Sequence, residues 1–188
     1  MSFASSAWIS RLAEAARGLL AAVAIAAGLN GCFGVDATLR EDGSGTFEIL
    51  YVPGGADWTV ESETTRWTSP HVTVTSLRRR EGGAVVTGAF DDATKLSSVP
   101  ALRNLTVTEL HRGDRTRLQV RLRNPDPRVV REDAADDPWL TFTLPGPVTW
   151  ANGDGQVKGN RVEWVIPLVE WAKSRDLVLV VRWTTPRA

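Results

Sequence analysis

Apolar and polar positions alternate along much of the chain from residue 35 onward. The clearest example is segment 116–123, where Leu118, Val120 and Leu122 alternate with polar, mostly arginine, side chains. A period of two predicts a β-strand with one buried face and one solvated face. In segment 176–183 both faces carry apolar side chains, which predicts a strand in the interior of a sheet.

The same pattern predicts nine strands, several of them paired in hairpins. Glycine-containing segments at 41–45, 81–83 and 112–114 separate successive strands, and glycine reaches the positive φ values that tight turns need. The predicted strands are 35–39, 46–52, 72–80, 84–90, 105–110, 116–123, 139–144, 161–167 and 176–183.

Two or three short helices are predicted between the strands. Pro70 closes the first, and either Asp91 or Asp92 could cap the second. The helices are expected within 54–69, in the first turns of 91–104, and at 168–174. Because the hairpin connections favour antiparallel pairing, the predicted fold class is α+β.

Composition and charge exclude several classes of protein. Hydrophobic residues make up 43% of the 188 residues and charged residues 23%, which is typical of one globular domain and not of a disordered chain. Residues 1–31 contain two arginines and one glutamate, so the remaining chain carries 20 basic and 21 acidic residues. This neutrality argues against bulk nucleic-acid binding. The single cysteine excludes an internal disulfide and a thiolate metal cluster.

The first 31 residues have the pattern of an export signal. Two arginines precede an uncharged run at 18–29, which is shorter than the ~20 apolar residues of a membrane-spanning helix. The run leads into Leu29-Asn30-Gly31-Cys32, which resembles the lipobox of bacterial lipoproteins except at Asn30. We therefore divide the chain into a signal peptide, 1–31, and a single domain, 32–188.

The lipobox resemblance implies cleavage between Gly31 and Cys32 and a thioether-linked diacylglycerol, with acyl chains such as palmitate, on Cys32. Two or three acyl chains hold a domain at a membrane where one chain does not. The protein is then exported and lipid-anchored to the cell membrane or the outer membrane, facing the periplasm or the exterior. The alternative is an ordinary secreted protein with a free thiol, which is a liability in an oxidising compartment.

Several turns in a fixed order resemble the LppM-type bacterial lipoprotein domain. They are Asp42-Gly43-Ser44-Gly45-Thr46, the segment 88–92, the Pro-Gly segment 144–148, Asn152-Gly153, and the segment 159–164 that ends in Trp. The resemblance covers essentially all of 32–188. It implies an α+β domain in which a curved antiparallel sheet carries helices on one face, and a role in binding lipids or glycolipids of the envelope.

Candidate catalytic and metal sites are few. Segment 40–51 resembles a calcium-binding loop, but Arg40 and Tyr51 occupy positions where calcium requires carboxylates, so a hairpin turn is the better account. His71 and His111 lie in no recognisable nucleophile or zinc motif. We expect no catalytic residue, no metal and no cofactor.

Two sets of residues are candidates for ligand contact. The third hairpin carries a basic stripe, which consists of Arg112, Arg115, Arg117, Arg121 and Arg123. Of these, Arg117, Arg121 and Arg123 could contact phosphate headgroups, although such a stripe is commonly only a soluble surface that protects an edge strand. The chain has eight tryptophans. They either fill the core or line an apolar site for an acyl chain. The candidates for the second role are Trp139, Trp150, Trp164 and Trp171.

Together these features predict a non-enzymatic envelope lipoprotein that binds a lipid or other amphiphile. The alternative is a structural lipoprotein that docks on an envelope protein complex, with the loop at 125–138 as a candidate docking segment. An apolar pocket of about 300 Å³ or more would favour ligand binding. A packed core with an exposed apolar patch would favour docking.

Overall fold

The computed structural model describes residues 34–53, 57–125 and 139–185. Within these ranges eleven strands and two α-helices are present, and two 3-10 turns follow β4. The strands are β1 (Gly34–Leu39), β2 (Gly45–Tyr51), β3 (Val72–Arg80), β4 (Gly83–Phe90), β5 (Leu105–Arg112), β6 (Arg115–Arg123), β7 (Trp139–Thr143), β8 (Val148–Ala151), β9 (Gln156–Lys158), β10 (Arg161–Val165) and β11 (Asp176–Thr184). The helices are α1 (Val60–Trp67) and α2 (Leu168–Lys173), and the 3-10 turns are Ala93–Ser98 and Pro100–Leu102.

The strands form two sheets. A seven-stranded sheet has the order β3-β4-β2-β1-β7-β10-β9, and a four-stranded sheet has the order β5-β6-β11-β8. Neighbouring strands are antiparallel except β1 and β7, which run parallel with Val35 opposite Leu140. The predicted α+β class is confirmed. The curvature that the LppM resemblance implied is not confirmed, because neither sheet is strongly curled.

All nine predicted strands are present, with bounds shifted by two residues or fewer. The structure also contains two strands, β8 and β9, that the periodicity does not predict. The predicted interior position of 176–183 is confirmed, because β11 lies between β6 and β8. Val180 on its outer face is 7% exposed and Leu179 on its inner face is 5% exposed, so this strand buries side chains on both faces.

Local side-chain hydrogen bonds define where α1 and the first 3-10 turn begin. At the start of α1, Thr59 Oγ1 accepts from the Ser62 amide and Ser62 Oγ accepts from the Thr59 amide, each at 3.1 Å. This reciprocal cap satisfies two amides that have no partner within the helix. Asp92 caps the first 3-10 turn by accepting from the Thr94 amide at 2.8 Å, as one of the two alternatives predicted. Residues 54–56, the first residues of the segment in which the first helix was predicted, lie outside the described ranges.

The core lies between the inner faces of the two sheets. Phe47 and Ile49 in β2 and Phe142 in β7 face Leu118 and Leu179 of the smaller sheet, and all five are buried. Removing such side chains from water is the main favourable term in folding. The apolar positions of the alternating pattern are therefore the side chains that pack between the two sheets.

Candidate functional site

The predicted anchor lies outside the part of the chain that the structure describes. Gly31 and Cys32 precede β1, whose first described residue is Gly34. Residues 126–138 of the candidate docking loop also lie outside the described ranges. The lipidation site and the docking loop thus stay predictions from sequence.

The four candidate tryptophans do not come together in one site. Trp164 and Trp171 are buried, and Trp139 packs against Gly34, where any side-chain carbon would overlap its ring. Trp150 is 43% exposed, and the guanidinium of Arg182 lies 4.7 Å from the centre of one of its rings. None of the four is among the described residues that line the apolar cavity between the sheets.

That apolar cavity has a volume of about 100 Å³. Every described side chain that lines it is apolar, and both sheets contribute, so it is an incompletely filled part of the core. An apolar cavity of this kind stays dry and can accept a small apolar group. The volume is smaller than the roughly 300 Å³ at which ligand pockets usually begin.

A row of half-buried leucines lines one end of this cavity. Leu105, Leu122 and Leu177 are opposite one another across β5, β6 and β11, at the end of the smaller sheet. Leu102 in the second 3-10 turn also lines the cavity. We call Leu102, Leu105, Leu122 and Leu177 the leucine rim.

A polar cleft of about 960 Å³ lies at the same end of the smaller sheet. Arg123 and Asp176 form the strand pair next to Leu122 and Leu177, and successive residues of a strand point to opposite faces. The cleft is therefore on the outer face and the leucine rim on the inner face. We call it the basic cleft, because five of the six charged side chains that the described residues contribute to its lining are cationic. The six are Arg103, Arg121, Arg123, Lys173, Arg175 and Asp176.

Backbone hydrogen bonds hold the three segments of the basic cleft together. The Arg123 amide donates to the carbonyl of Asn104 at 2.9 Å, and the Asn124 amide donates to the carbonyl of Arg175 at 2.8 Å. The Asn124 side chain also donates to the Ala172 carbonyl at 3.2 Å, near the C-terminus of α2. The entry to β5, the exit of β6 and the α2–β11 junction are consequently fixed next to one another.

One ion pair occupies part of the basic cleft. Arg121 donates from Nε to Asp176 Oδ1 at 3.0 Å and from Nη2 to Oδ2 at 2.8 Å. These hydrogen bonds lower the pKa of Asp176 and raise that of Arg121. Both side chains are partly exposed, so this pair contributes little to stability.

Two of the three arginines predicted to contact headgroups lie in the cleft. Arg121 and Arg123 line it, whereas Arg117 lies further along β6, opposite Arg182, and donates to Gln119 at 2.9 Å. Sequence reasoning missed Arg103, Lys173 and Arg175. These three cations are at the ends of elements, outside any alternating stripe, and only the topology brings them beside β6.

The two histidines have carboxylate neighbours. His71 Nδ1 lies 3.1 Å from Asp91 Oδ1. His111 lies 3.0 Å from Thr116 Oγ1 and 3.5 Å from a Glu109 oxygen. Thr116 is 2% exposed, so its hydroxyl is closed to a substrate.

No protein-family model, no curated protein and no solved structure matches this chain. Among the described residues, no helix is both long enough and apolar enough to cross a membrane. The same residues contain no group of three or more side chains placed to hold a metal ion. Fold and geometry define a two-sheet α+β domain with an apolar cavity between its sheets and a basic cleft at one end.

Proposed function

We propose that this protein is a non-enzymatic envelope lipoprotein, anchored by a lipid on Cys32, that binds the apolar part of an amphiphile. The anchor is supported by the lipobox at 29–32 and by the export signal before it. The order of the turn motifs supports the further proposal that the mature part is an LppM-type domain.

The observation that carries the ligand proposal is the apolar cavity with its leucine rim. A cavity of about 100 Å³ has room for the end of one alkyl chain and not for a whole lipid. The rest of the ligand's alkyl chain would lie along Leu105, Leu122 and Leu177, which are half-buried at the end of the smaller sheet. Each methylene that leaves water there contributes about 0.8 kcal/mol.

Mass spectrometry of the protein extracted from its own membrane tests both parts. We expect a diacylglycerol on an N-terminal Cys32 and one non-covalent amphiphile that is released on unfolding. Ala37→Val adds two methyl groups inside the cavity and should remove the non-covalent amphiphile while leaving the covalent lipid. Ala89→Val, on the outer face of the same sheet, is the matched control and should keep both.

Each part can fail separately. A bare Cys32 thiol on a protein found in the aqueous fraction would overturn the anchor. The ligand proposal would be overturned if the anchored protein released no amphiphile on unfolding. It would also be overturned if Ala37→Val and the wild type released equal amounts.

The small volume of the cavity favours a second role, docking on an envelope protein complex. Trp150 and Val178 are exposed on the outer face of the smaller sheet and could contact a partner. Exposed tryptophan is enriched where protein surfaces bind one another. If docking is the role, cross-linking in the membrane should yield one defined partner, and Trp150→Ala should abolish that product. The same adduct in wild type and Trp150→Ala would contradict docking through this face.

A further inference from the structure

We propose that the basic cleft is a binding site for a phosphate group that carries a net negative charge. The site requires neither the lipid on Cys32 nor a chain in the apolar cavity, and it therefore goes beyond the function proposed above. The phosphate could belong to a lipid headgroup or to a soluble molecule, because the cleft would recognise the same chemistry in both.

The first argument is the uneven distribution of charge. The chain as a whole has a formal charge of zero, yet among the described residues the basic cleft gathers five cationic side chains and one carboxylate. Like charges that line a concave surface repel one another and concentrate a positive potential there. A bound anion would relieve this repulsion.

The second argument is hydrogen-bonding capacity. Within the described ranges, Asp176 accepts from Arg121, whereas Arg103, Arg123 and Arg175 form no ion pair. A guanidinium presents planar pairs of N–H donors that match two phosphate oxygens. These three arginines therefore offer donors that no carboxylate of the described residues uses.

The third argument is that the cleft is held in place by its backbone. Hydrogen bonds from the Arg123 and Asn124 amides fix the three segments, as described above. These backbone contacts fix the positions from which the cationic side chains extend, so a ligand need only order the side chains themselves. Such preorganisation reduces the entropic cost of binding.

Calorimetric titration of the full chain, purified in a non-ionic detergent, with inorganic phosphate tests the site. We expect saturable binding by the wild type. Arg123→Gln combined with Arg175→Gln should weaken it by about tenfold or more, because two charged donors are lost. Asp176→Asn should strengthen it, because the carboxylate is neutralised and Arg121 is released.

The matched control is Arg78→Gln combined with Arg80→Gln. Both arginines are exposed on β3 at the edge of the other sheet, so the net charge of the chain changes equally while the cleft is intact. Phosphate affinity should be unchanged. An equal loss in the two double variants, no saturable binding by the wild type, or weaker binding by Asp176→Asn would each overturn the proposal.

Dihexanoyl phosphatidic acid in place of inorganic phosphate identifies the source of the phosphate. Tighter binding of this lipid assigns the site to an anionic headgroup, and equal binding assigns it to a soluble phosphate. Dihexanoyl phosphatidylcholine, which is net neutral, should bind more weakly than phosphatidic acid, and equal affinity would overturn an anion site. Ala37→Val should leave the affinity for inorganic phosphate unchanged, so failure of the cavity proposal and failure of the cleft proposal are distinguishable.

Discussion

Trp164 and Asn152 connect the two sheets through one hydrogen bond, in which the indole Nε1 of Trp164 donates to the Asn152 carbonyl at 2.9 Å. Trp164 belongs to β10 in the larger sheet. Asn152 directly follows β8 and continues its pairing with β11, where its amide donates to the Val180 carbonyl at 3.0 Å. Near Asn152 the chain therefore leaves the smaller sheet for the larger one.

The Asn152 side chain also satisfies backbone groups of β11, which leads to the first prediction. Its Oδ1 accepts from the buried Val180 amide at 2.7 Å, and its Nδ2 donates to the Val178 carbonyl at 2.8 Å. Asn152→Ala should lower the free energy of unfolding by about 1–3 kcal/mol, because the Val180 amide loses a partner. Urea unfolding followed by tryptophan fluorescence measures this loss.

Asp154→Ala is the control for this prediction, since Asp154 is exposed in the same turn. It should leave the unfolding midpoint almost unchanged. If both variants lose the same stability, the effect belongs to the turn and not to the hydrogen bonds of Asn152.

Tyr51, the single tyrosine of the chain, gives the second prediction. Its hydroxyl donates to Glu63 Oε2 at 2.8 Å, and Glu63 is 2% exposed. Burial, and after it the hydrogen bond to Glu63, raises the pKa of Tyr51 far above its usual value. Tyrosinate absorbance should therefore not develop near pH 10, where an unperturbed tyrosine titrates.

The sign of the accompanying change in stability follows from linkage. Because the folded pKa of Tyr51 is raised, its contribution to stability is fully present below about pH 10 and is lost as the pH rises further. Glu63→Gln should lower the titration midpoint but leave it above the usual value, since burial is the larger cause. Glu61→Gln, on the exposed side of α1, should not shift it. A midpoint near 10 in the wild type would contradict the burial of this hydroxyl.

Gly45 gives the third prediction, because strands approach it closely. A Cβ at this position would lie 2.1 Å from the Thr38 carbonyl oxygen and 2.4 Å from the Phe90 ring. Gly45→Ala should lower the free energy of unfolding by about 3 kcal/mol, because backbone must move to make room. Gly113→Ala, at a φ of +63° with open space around it, should lose only about 1 kcal/mol. Equal losses would show that the contact at Gly45 relaxes easily.

The sequence predicted the strands better than it predicted their arrangement. Alternation such as that of Leu118, Val120 and Leu122 is a local property, so strand positions follow from it. The parallel pairing of β1 with β7 joins Val35 to Leu140, which lie far apart in the chain, and no local pattern encodes that contact. Strands β8 and β9 have four and three residues, too few for a period to be recognised.

The sequence likewise predicted only part of the candidate sites. Arg121 and Arg123 lie on the solvated face of one strand, and alternation identified them. Arg103 and Arg175 join them only through backbone hydrogen bonds between segments distant in sequence. The cavity is lined by ordinary core residues, and only the packing of two sheets determines where a core is left incompletely filled.

The ion pair between Arg121 and Asp176 gives the last prediction. The two hydrogen bonds from Arg121 hold the pKa of the Asp176 carboxyl below its usual range. The folded protein thus favours the ionised carboxylate, and this contribution to stability is present above about pH 4, where an unfolded Asp titrates. It is lost as the pH falls through the lower folded pKa. Salt should weaken it, because both groups are exposed to solvent.

Carbon-13 NMR titration of the Asp176 carboxyl measures this shift directly. Arg121→Gln should return the pKa of Asp176 toward its usual value, because both donating N–H groups are replaced by one neutral side chain. Arg117→Gln is the matched control, since Arg117 is on the same strand and outside the basic cleft. It should leave the pKa of Asp176 where it is in the wild type. A pKa that is the same in the wild type and both variants would mean that Arg121 does not hold Asp176 in solution, and Arg121 would then be as available to an anion as Arg123.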